Sequence, residues 1–457
     1  MSESETPQDL KTLQHEAREV ARAAEAALAS RDAARMVEAL QGCDRVLKAM
    51  PAEQLNAETK APDPAAPLSA ERAMVWLWRG RLLVLADKPE AVVQGLQSLD
   101  QAIARLGLAK ADDGVKNLLA SAWMNRGSGL FRLGSREALA EAVRSYDQAI
   151  AAMELRTGVD ANMLGAAWMN RGVGLMHLEE PDETKESVAA RLAEVTKALD
   201  KAVALLEPAA ATGHAAARRN LASVWANLGI VRVRREDPAG ALEAHRKGVE
   251  LFRPLAAEGG AAEMFDLAAR VFNLGQACTA AGEADAALAA AREAMELAEG
   301  VHLGDPQVID LAMRARHAVC VVLGGRLAAG RALAEDPKRA ELLEEAGDLV
   351  EDGLAALKGR AELPEGVAQT AARLYEFGAW LYRTQQPQFL GEFLLEHLGE
   401  DEARARIAAA AVKAARQALV QRGFNETMGG EMDRVRGMMQ DLAAVEERLK
   451  ERAAAKV

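Results

Sequence analysis

Apolar positions along this chain fall at helical spacing, in blocks separated by short turns carrying Gly, Pro or Asp. After a polar tail over residues 1–9, the pattern predicts helices over Leu10 to Ser30 and Asp32 to Met50, with Asp32 as N-cap and Pro51 beyond the second end. Residues 51–68 contain four prolines, which cannot continue a helix, and read as a linker. From Ser69 each block pairs a first helix ending in a Trp-to-Gly signature with a short turn and a second helix of apolar-Ala pattern. The second helices overlay: Leu99-Asp100-Gln101-Ala102-Ile103, Tyr146-Asp147-Gln148-Ala149-Ile150 and Leu199-Asp200-Lys201-Ala202-Val203. The turns carry breakers, as in Asp87-Lys88-Pro89, Leu133-Gly134-Ser135, Asp237-Pro238 and Gly282-Glu283. The array runs over 69–423. Residues 424–457 supply a charged last helix, Gly430 to Arg452, suited to capping the stack with one wet face.

The blocks are copies of one another. Trp123-Met124-Asn125-Arg126-Gly127 returns 45 positions later as Trp168-Met169-Asn170-Arg171-Gly172. Worn forms follow at Trp225-Ala226-Asn227-Leu228-Gly229 and Val271-Phe272-Asn273-Leu274-Gly275, with fainter echoes at Trp76, Cys320 and Leu374. Self-similarity at a long period marks a solenoid, in which each repeat buries its apolar face on its neighbours. The expected fold is all-α: an α-solenoid superhelix of antiparallel helix pairs, right-handed, with a C-terminal capping helix.

Composition narrows the function. Half the residues are hydrophobic but only 4% are aromatic, and alanine dominates, which favours helix and close helix contact. A net charge of −12 disfavours a general nucleic-acid binder. Cys43, Cys278 and Cys320 lack paired spacing, which argues against disulfides and a zinc site and for a reducing compartment. With neither a signal-peptide pattern nor a run long enough to span a bilayer, the expectation is a cytoplasmic protein without membrane attachment.

Trp225-x-x-Leu228-Gly229 resembles the opening of the tetratricopeptide repeat. Ala239-Gly240-Ala241-Leu242-Glu243 and Ala284-Asp285-Ala286-Ala287-Leu288 resemble the start of that repeat's second helix. Two features depart from it. The period is 45 to 57 instead of about 34, and Leu130, Leu175 or Arg232 stands where Tyr often follows the Gly. The longer period is similar to that of kinesin light chain repeats, whose inter-repeat loops His302-Leu303-Gly304-Asp305-Pro306 resembles. HEAT and armadillo arrays share the period but lack the Trp-Leu-Gly opening, and rank second. The resemblance implies a protein-binding scaffold or adaptor that holds an extended or helical partner segment on a concave face.

Asn125, Asn170, Asn227 and Asn273 stand two residues after the first residue of each signature, so stacking lines them along one face. An amide matches the N–H and C=O of an extended peptide. Equivalent asparagines in related arrays hold ligand main chain, which the resemblance implies here. Arg132, His177 and Arg234 follow the first three by seven residues, near the same face, and Ala280 ends the series. Amides beside cations suit a segment with Asp, Glu or a terminal carboxylate. Arg79, Arg126 and Arg171 occupy the signature's fourth position in the repeats that carry Asp100, Asp147 and Asp200, which predicts ion pairs Arg79–Asp100, Arg126–Asp147 and Arg171–Asp200 within each repeat.

No enzyme signature accompanies these rows. The seven histidines stand singly, and neither a phosphate loop nor a Gly-x-Ser-x-Gly elbow occurs. Gly127-Ser128-Gly129 and Gly324-Gly325 fall inside repeat helices. A binding role without catalysis, metal or cofactor is expected. The alternatives are a peptide-sensing regulator and a self-assembling scaffold, the latter through the methionines Met428, Met432, Met438 and Met439 with a homo-oligomer as outcome.

Overall fold

The computed structural model describes residues 7–454 apart from 31, 53–61, 64–65, 67, 87, 111, 157, 180–181, 302–304, 330–336, 359–362, 399–401 and 422–428. Most of the 51–68 linker, the His302–Gly304 loop and the Phe424–Thr427 loop therefore lie outside the described residues, as do the side chains of Met428 and Met432. The protein is all-α and built as an α-solenoid of consecutive helix pairs, in two compact units, Met1–Asp237 and Pro238–Val457.

The first unit contains α1 (Pro7–Ser30), α2 (Ala33–Ala49), α3 (Ser69–Val84), α4 (Pro89–Leu108), α5 (Asp113–Leu133), α6 (Arg136–Glu154), α7 (Ala161–His177), α8 (Lys185–Ala211) and α9 (Ala215–Arg234). Six of these starts carry a side-chain cap. Asp32 accepts from the N–H groups of Ala34 and Arg35, and Asp112, Ser135, Asp160 and Thr184 cap α5 to α8 in the same way. Gly134 closes α5 in the left-handed region at φ 71°. Neighbouring helices share the core: Leu77, Leu99, Leu106 and Ala122 join α3, α4 and α5, while Ala120, Met153, Leu164 and Ala167 join α5, α6 and α7. First helices also touch one another, α3 with α5, α5 with α7 and α7 with α9, whereas no contact of that extent joins α4 to α6 or α6 to α8 among the described residues. The first helices therefore line the tighter, inner side of the unit.

The second unit contains α10 (Pro238–Glu258), α11 (Ala261–Ala280), α12 (Ala284–Glu299), α13 (Pro306–Ala329), α14 (Pro337–Ala355), α15 (Glu365–Gln385), α16 (Leu390–Glu396), α17 (Glu402–Gln421) and α18 (Gly429–Ala454). The last helix buries Leu442 and Val445 in a core with Tyr375, Leu394 and Val412, and Met438 and Met439 pack beside them. The other face of α18 is charged and exposed, as an end cap requires. No helix among the described residues is long and apolar enough to cross a membrane. Cys43, Cys278 and Cys320 are free and buried.

The expected ion pairs form one repeat out of step. Arg79 donates to Asp44 at 2.7 Å, Arg126 to Asp100 at 2.8 Å and Arg171 to Asp147 at 2.6 Å, so each arginine reaches the second helix of the preceding repeat. Within their own repeats Arg79 donates instead to Ser98 at 2.6 Å, and Arg126 to Ser145 at 2.9 Å and Glu141 at 2.8 Å. Ser98 and Asp100 are two residues apart, about 200° around a helix. With the serine turned to its own first helix, the aspartate must face the next repeat. Each guanidinium also lies near the indole three residues before it, 5.6, 5.5 and 5.7 Å from the ring centres of Trp76, Trp123 and Trp168. Asp100 is half exposed, so the link is worth little energy and mainly sets register. A double-mutant cycle on Arg126 and Asp100 is expected to return a coupling of about 0.5–1 kcal/mol, and one on Arg126 and Asp147 none. Chemical denaturation of the four variants in each cycle reads both values.

Candidate functional site: the inner face of the first unit

On α5, α7 and α9 half-buried uncharged residues recur in strips at helical spacing, though on α5 Met124 also packs against the core that holds Met153 and Leu164, and Ser128 meets the Tyr146 hydroxyl of α6. Ser121, Met124, Asn125 and Ser128 make the strip on α5. Ala166, Met169, Asn170 and Val173 make it on α7, and Ser223, Ala226, Asn227 and Ile230 on α9. All are half-buried and uncharged. The strips occupy the inner side, where the first helices touch.

The asparagines differ in what they already hold. Asn125 donates from Nδ2 to the Ser121 carbonyl at 2.6 Å, one turn back on its own helix. No side-chain hydrogen bond among the described residues engages Asn170 or Asn227, which leaves their donors and acceptors open. Asn273 is likewise half-buried and unengaged on α11, but belongs to the second unit. In α3 the matching position is Trp78, packed against the core of α1 and α2 with the Arg81 guanidinium 4.2 Å from its ring centre.

The cationic row is spent differently. Arg132 donates to the Ala86 carbonyl at 3.1 Å, just past the end of α3. Arg234 donates to the Met176 carbonyl at 3.0 Å, in the last turn of α7, and pairs with Glu179 at 3.3 Å. Both arginines place positive charge where a helix leaves its carbonyls open and its dipole is negative. His177 sits edge-on to Phe131 with ring centres 5.3 Å apart. The three residues stitch the ends of successive first helices together.

A second amide row escapes a reading based on the signature alone. Asn162 accepts from Asn220 at 2.9 Å, linking α7 to α9, and Asn117 accepts from Arg156 at 3.1 Å. Asn117 and Asn162 each stand eight residues before a ladder asparagine, which is the only sequence trace of this row. Met124 and Met169 were present in the repeat but carry no meaning until the helix phase is known.

No protein-family model matches the sequence, and no curated protein matches it either. Among solved structures the chain is similar to the apo form of RapI, at 10% identity over 94% of this chain and 98% of that one, with a TM-score of 0.53. It is also similar to the apo form of the quorum sensor NprR from B. thuringiensis, at 13% identity over 94% and 99%, TM-score 0.47. BtubC (BKLC) from P. vanneervenii matches over 60% of this chain and 95% of its own, at 16% identity and TM-score 0.42. At these identities the likeness is one of fold alone, an all-α stack of helical repeats.

Proposed function

We propose that the protein is a non-enzymatic, cytoplasmic scaffold or adaptor that holds an extended or helical segment of a protein partner on the inner face of α5, α7 and α9. The observation that carries this reading is the pair of open amides, Asn170 and Asn227, in matching positions of adjacent first helices. Neither amide is among the buried side-chain groups left without a partner, so water reaches both in the free protein, and each offers donors and acceptors that match a peptide main chain. Asn125 joins them once its bond to Ser121 is exchanged, and Asn273 would serve a comparable face in the second unit. The long period favours the kinesin light chain type of repeat.

Arg132 and Arg234 each give an N–H to a carbonyl at a helix end, and Arg234 also pairs with Glu179, but both guanidinium groups keep their charge, so an acidic group on the partner would be received at this rim with His177 beside it. Asn170→Ala and Asn227→Ala together are expected to lower partner recovery at least tenfold in an affinity capture from the source organism's lysate, with an unchanged melting temperature. Equal recovery by the wild type and the double variant would move the interface off this face.

A further inference from the structure

Folding brings one of the seven histidines to two carboxylates in the second unit. Among the described residues one group of three offers metal-ligating atoms together: Glu351 on α14, Glu396 at the end of α16 and His397 just beyond it. Each brings a ligand atom within 4.8 Å of the other two. Spacing along the chain hides the group, since 46 residues separate Glu351 from His397. The histidine is only 5% exposed and its Nε2 meets Glu351 Oε2, whereas Glu396 faces solvent. The Tyr382 hydroxyl on α15 donates to the other Glu351 oxygen at 2.8 Å, which fixes that carboxylate. Arg404 on α17 donates to the His397 carbonyl at 3.2 Å and steadies the backbone that carries the imidazole. Supporting hydrogen bonds of this kind orient metal ligands. Phe393 closes one side with an apolar wall, its ring centre 5.2 Å from that of His397.

The charge around the group is unbalanced. Burial, then the hydrogen bond to Glu351 and the charges of Glu351, Asp348 and Glu392, hold the Tyr382 hydroxyl above its ordinary range. Lys358 pairs with Glu396 at 3.3 Å, and its side chain is 65% exposed, so it leaves at little cost. Four carboxylates facing one such lysine attract a cation. We propose that Glu351, Glu396 and His397 bind a zinc ion, which straps α14 to the end of α16. One imidazole nitrogen beside two carboxylates suits Zn²⁺, whereas Mg²⁺ and Ca²⁺ take oxygen ligands. Tetrahedral zinc with bonds of about 2.1 Å sets its ligand atoms about 3.4 Å apart, so the group closes by about 1.4 Å at most. Rotation of the exposed Glu396 away from Lys358 supplies that movement, and water fills the fourth position.

The probe is zinc chloride, titrated calorimetrically into the metal-free full chain at neutral pH. One ion per chain is expected, with a melting temperature that rises as zinc is added and does not respond to magnesium. Glu396→Gln should weaken zinc binding on the order of tenfold or more while leaving the melting temperature of the metal-free protein unchanged, because its side chain is exposed. His397→Gln should weaken it at least as much, and Glu396→Gln decides the matter should the buried substitution unfold the unit. Zinc affinity that survives Glu396→Gln unchanged would place the ion elsewhere and overturn the site. A chain that shows no saturable zinc binding, or that responds equally to magnesium, would overturn it as well.

Discussion

Gly95→Ala is expected to destabilise the first unit by about 1–2 kcal/mol, an overpacking cost of about 3 kcal/mol less the helix propensity gained, whereas Gly275→Ala in the second is expected to be neutral or to stabilise by up to about 1 kcal/mol. Both glycines sit inside helices, where alanine is intrinsically better by about 1 kcal/mol. What separates them is the neighbour. A Cβ on Gly95 would lie 2.9 Å from the Val84 backbone nitrogen and 3.1 Å from the Gly80 carbonyl oxygen. Gly80 in turn faces the Gly95 carbonyl, at 3.0 Å from its own would-be Cβ. The backbones of α3 and α4 touch at this pair, so no side-chain rotation relieves the clash and the helices must part. Gly275 meets only ordinary contacts, with Ala290 Cβ at 3.4 Å and the Ala291 nitrogen at 3.5 Å. Denaturant titrations of both variants followed by circular dichroism give the two signs. A Gly95→Ala protein as stable as wild type would mean that α3 and α4 do not approach as closely as described here.

That contrast marks where the repeat could be read in advance. Gly80, Gly127, Gly172 and Gly275 were visible as a conserved slot within the chain, and the helix pairs followed from them. Gly95 belongs to no signature, and its role appears only when two backbones are seen to meet. The ion pairs show the same boundary. Arginine and aspartate could be matched by period, but a period cannot tell a partner within the repeat from one in the repeat before. The 200° between Ser98 and Asp100 settles it, and that angle has meaning only once one of the two is known to face inward.

The candidate site was legible to a similar depth. The asparagine row emerged from the repeat, because one residue type at one position in stacked helices must share a face. Arg132 and Arg234 lay close to that face, yet their length lets them reach the end of the preceding first helix, where open carbonyls attract them. Spacing predicts position around a helix, not which of several acceptors a long side chain takes. Trp78 breaks the row for a comparable reason: the packing of α1 against α3 turns an inner-face position into core.

Acidification is expected to loosen the second unit before the first, beginning well above the range in which carboxylates titrate. His245 on α10 is only 4% exposed, and burial, reinforced by the positive charge of Arg270, holds its pKa at about 4 against 6.5 for a free imidazole. Arg270 has little freedom to withdraw, since its guanidinium lies 4.4 Å from the centre of the Phe252 ring. The folded value lies below the unfolded one, so the unfolded chain takes up the proton first. The stabilisation from a neutral His245 is complete above pH 6.5 and is lost as pH falls toward 4. The loss amounts to about 2 kcal/mol by about pH 5 and about 3 kcal/mol near pH 4. His317 moves the same way, through burial and then Arg373 against the opposing Glu376, and adds to the slope. In the first unit the resolved carboxylate shifts run downward, at Glu141 through Arg144 and Arg126 and at Glu183 through Arg191. Their contribution is lost as pH falls through the ordinary carboxylate range and below it, which leaves the interval from about pH 6.5 to 5 to the histidines. Hydrogen exchange over α10 and α11, corrected for the intrinsic pH dependence of exchange, should show the opening free energy falling across that interval. His245→Gln should flatten most of the slope whatever it does to the absolute level. A wild-type slope that survives this substitution would place the acid sensitivity in His317 or elsewhere, and not in the imidazole beside Arg270.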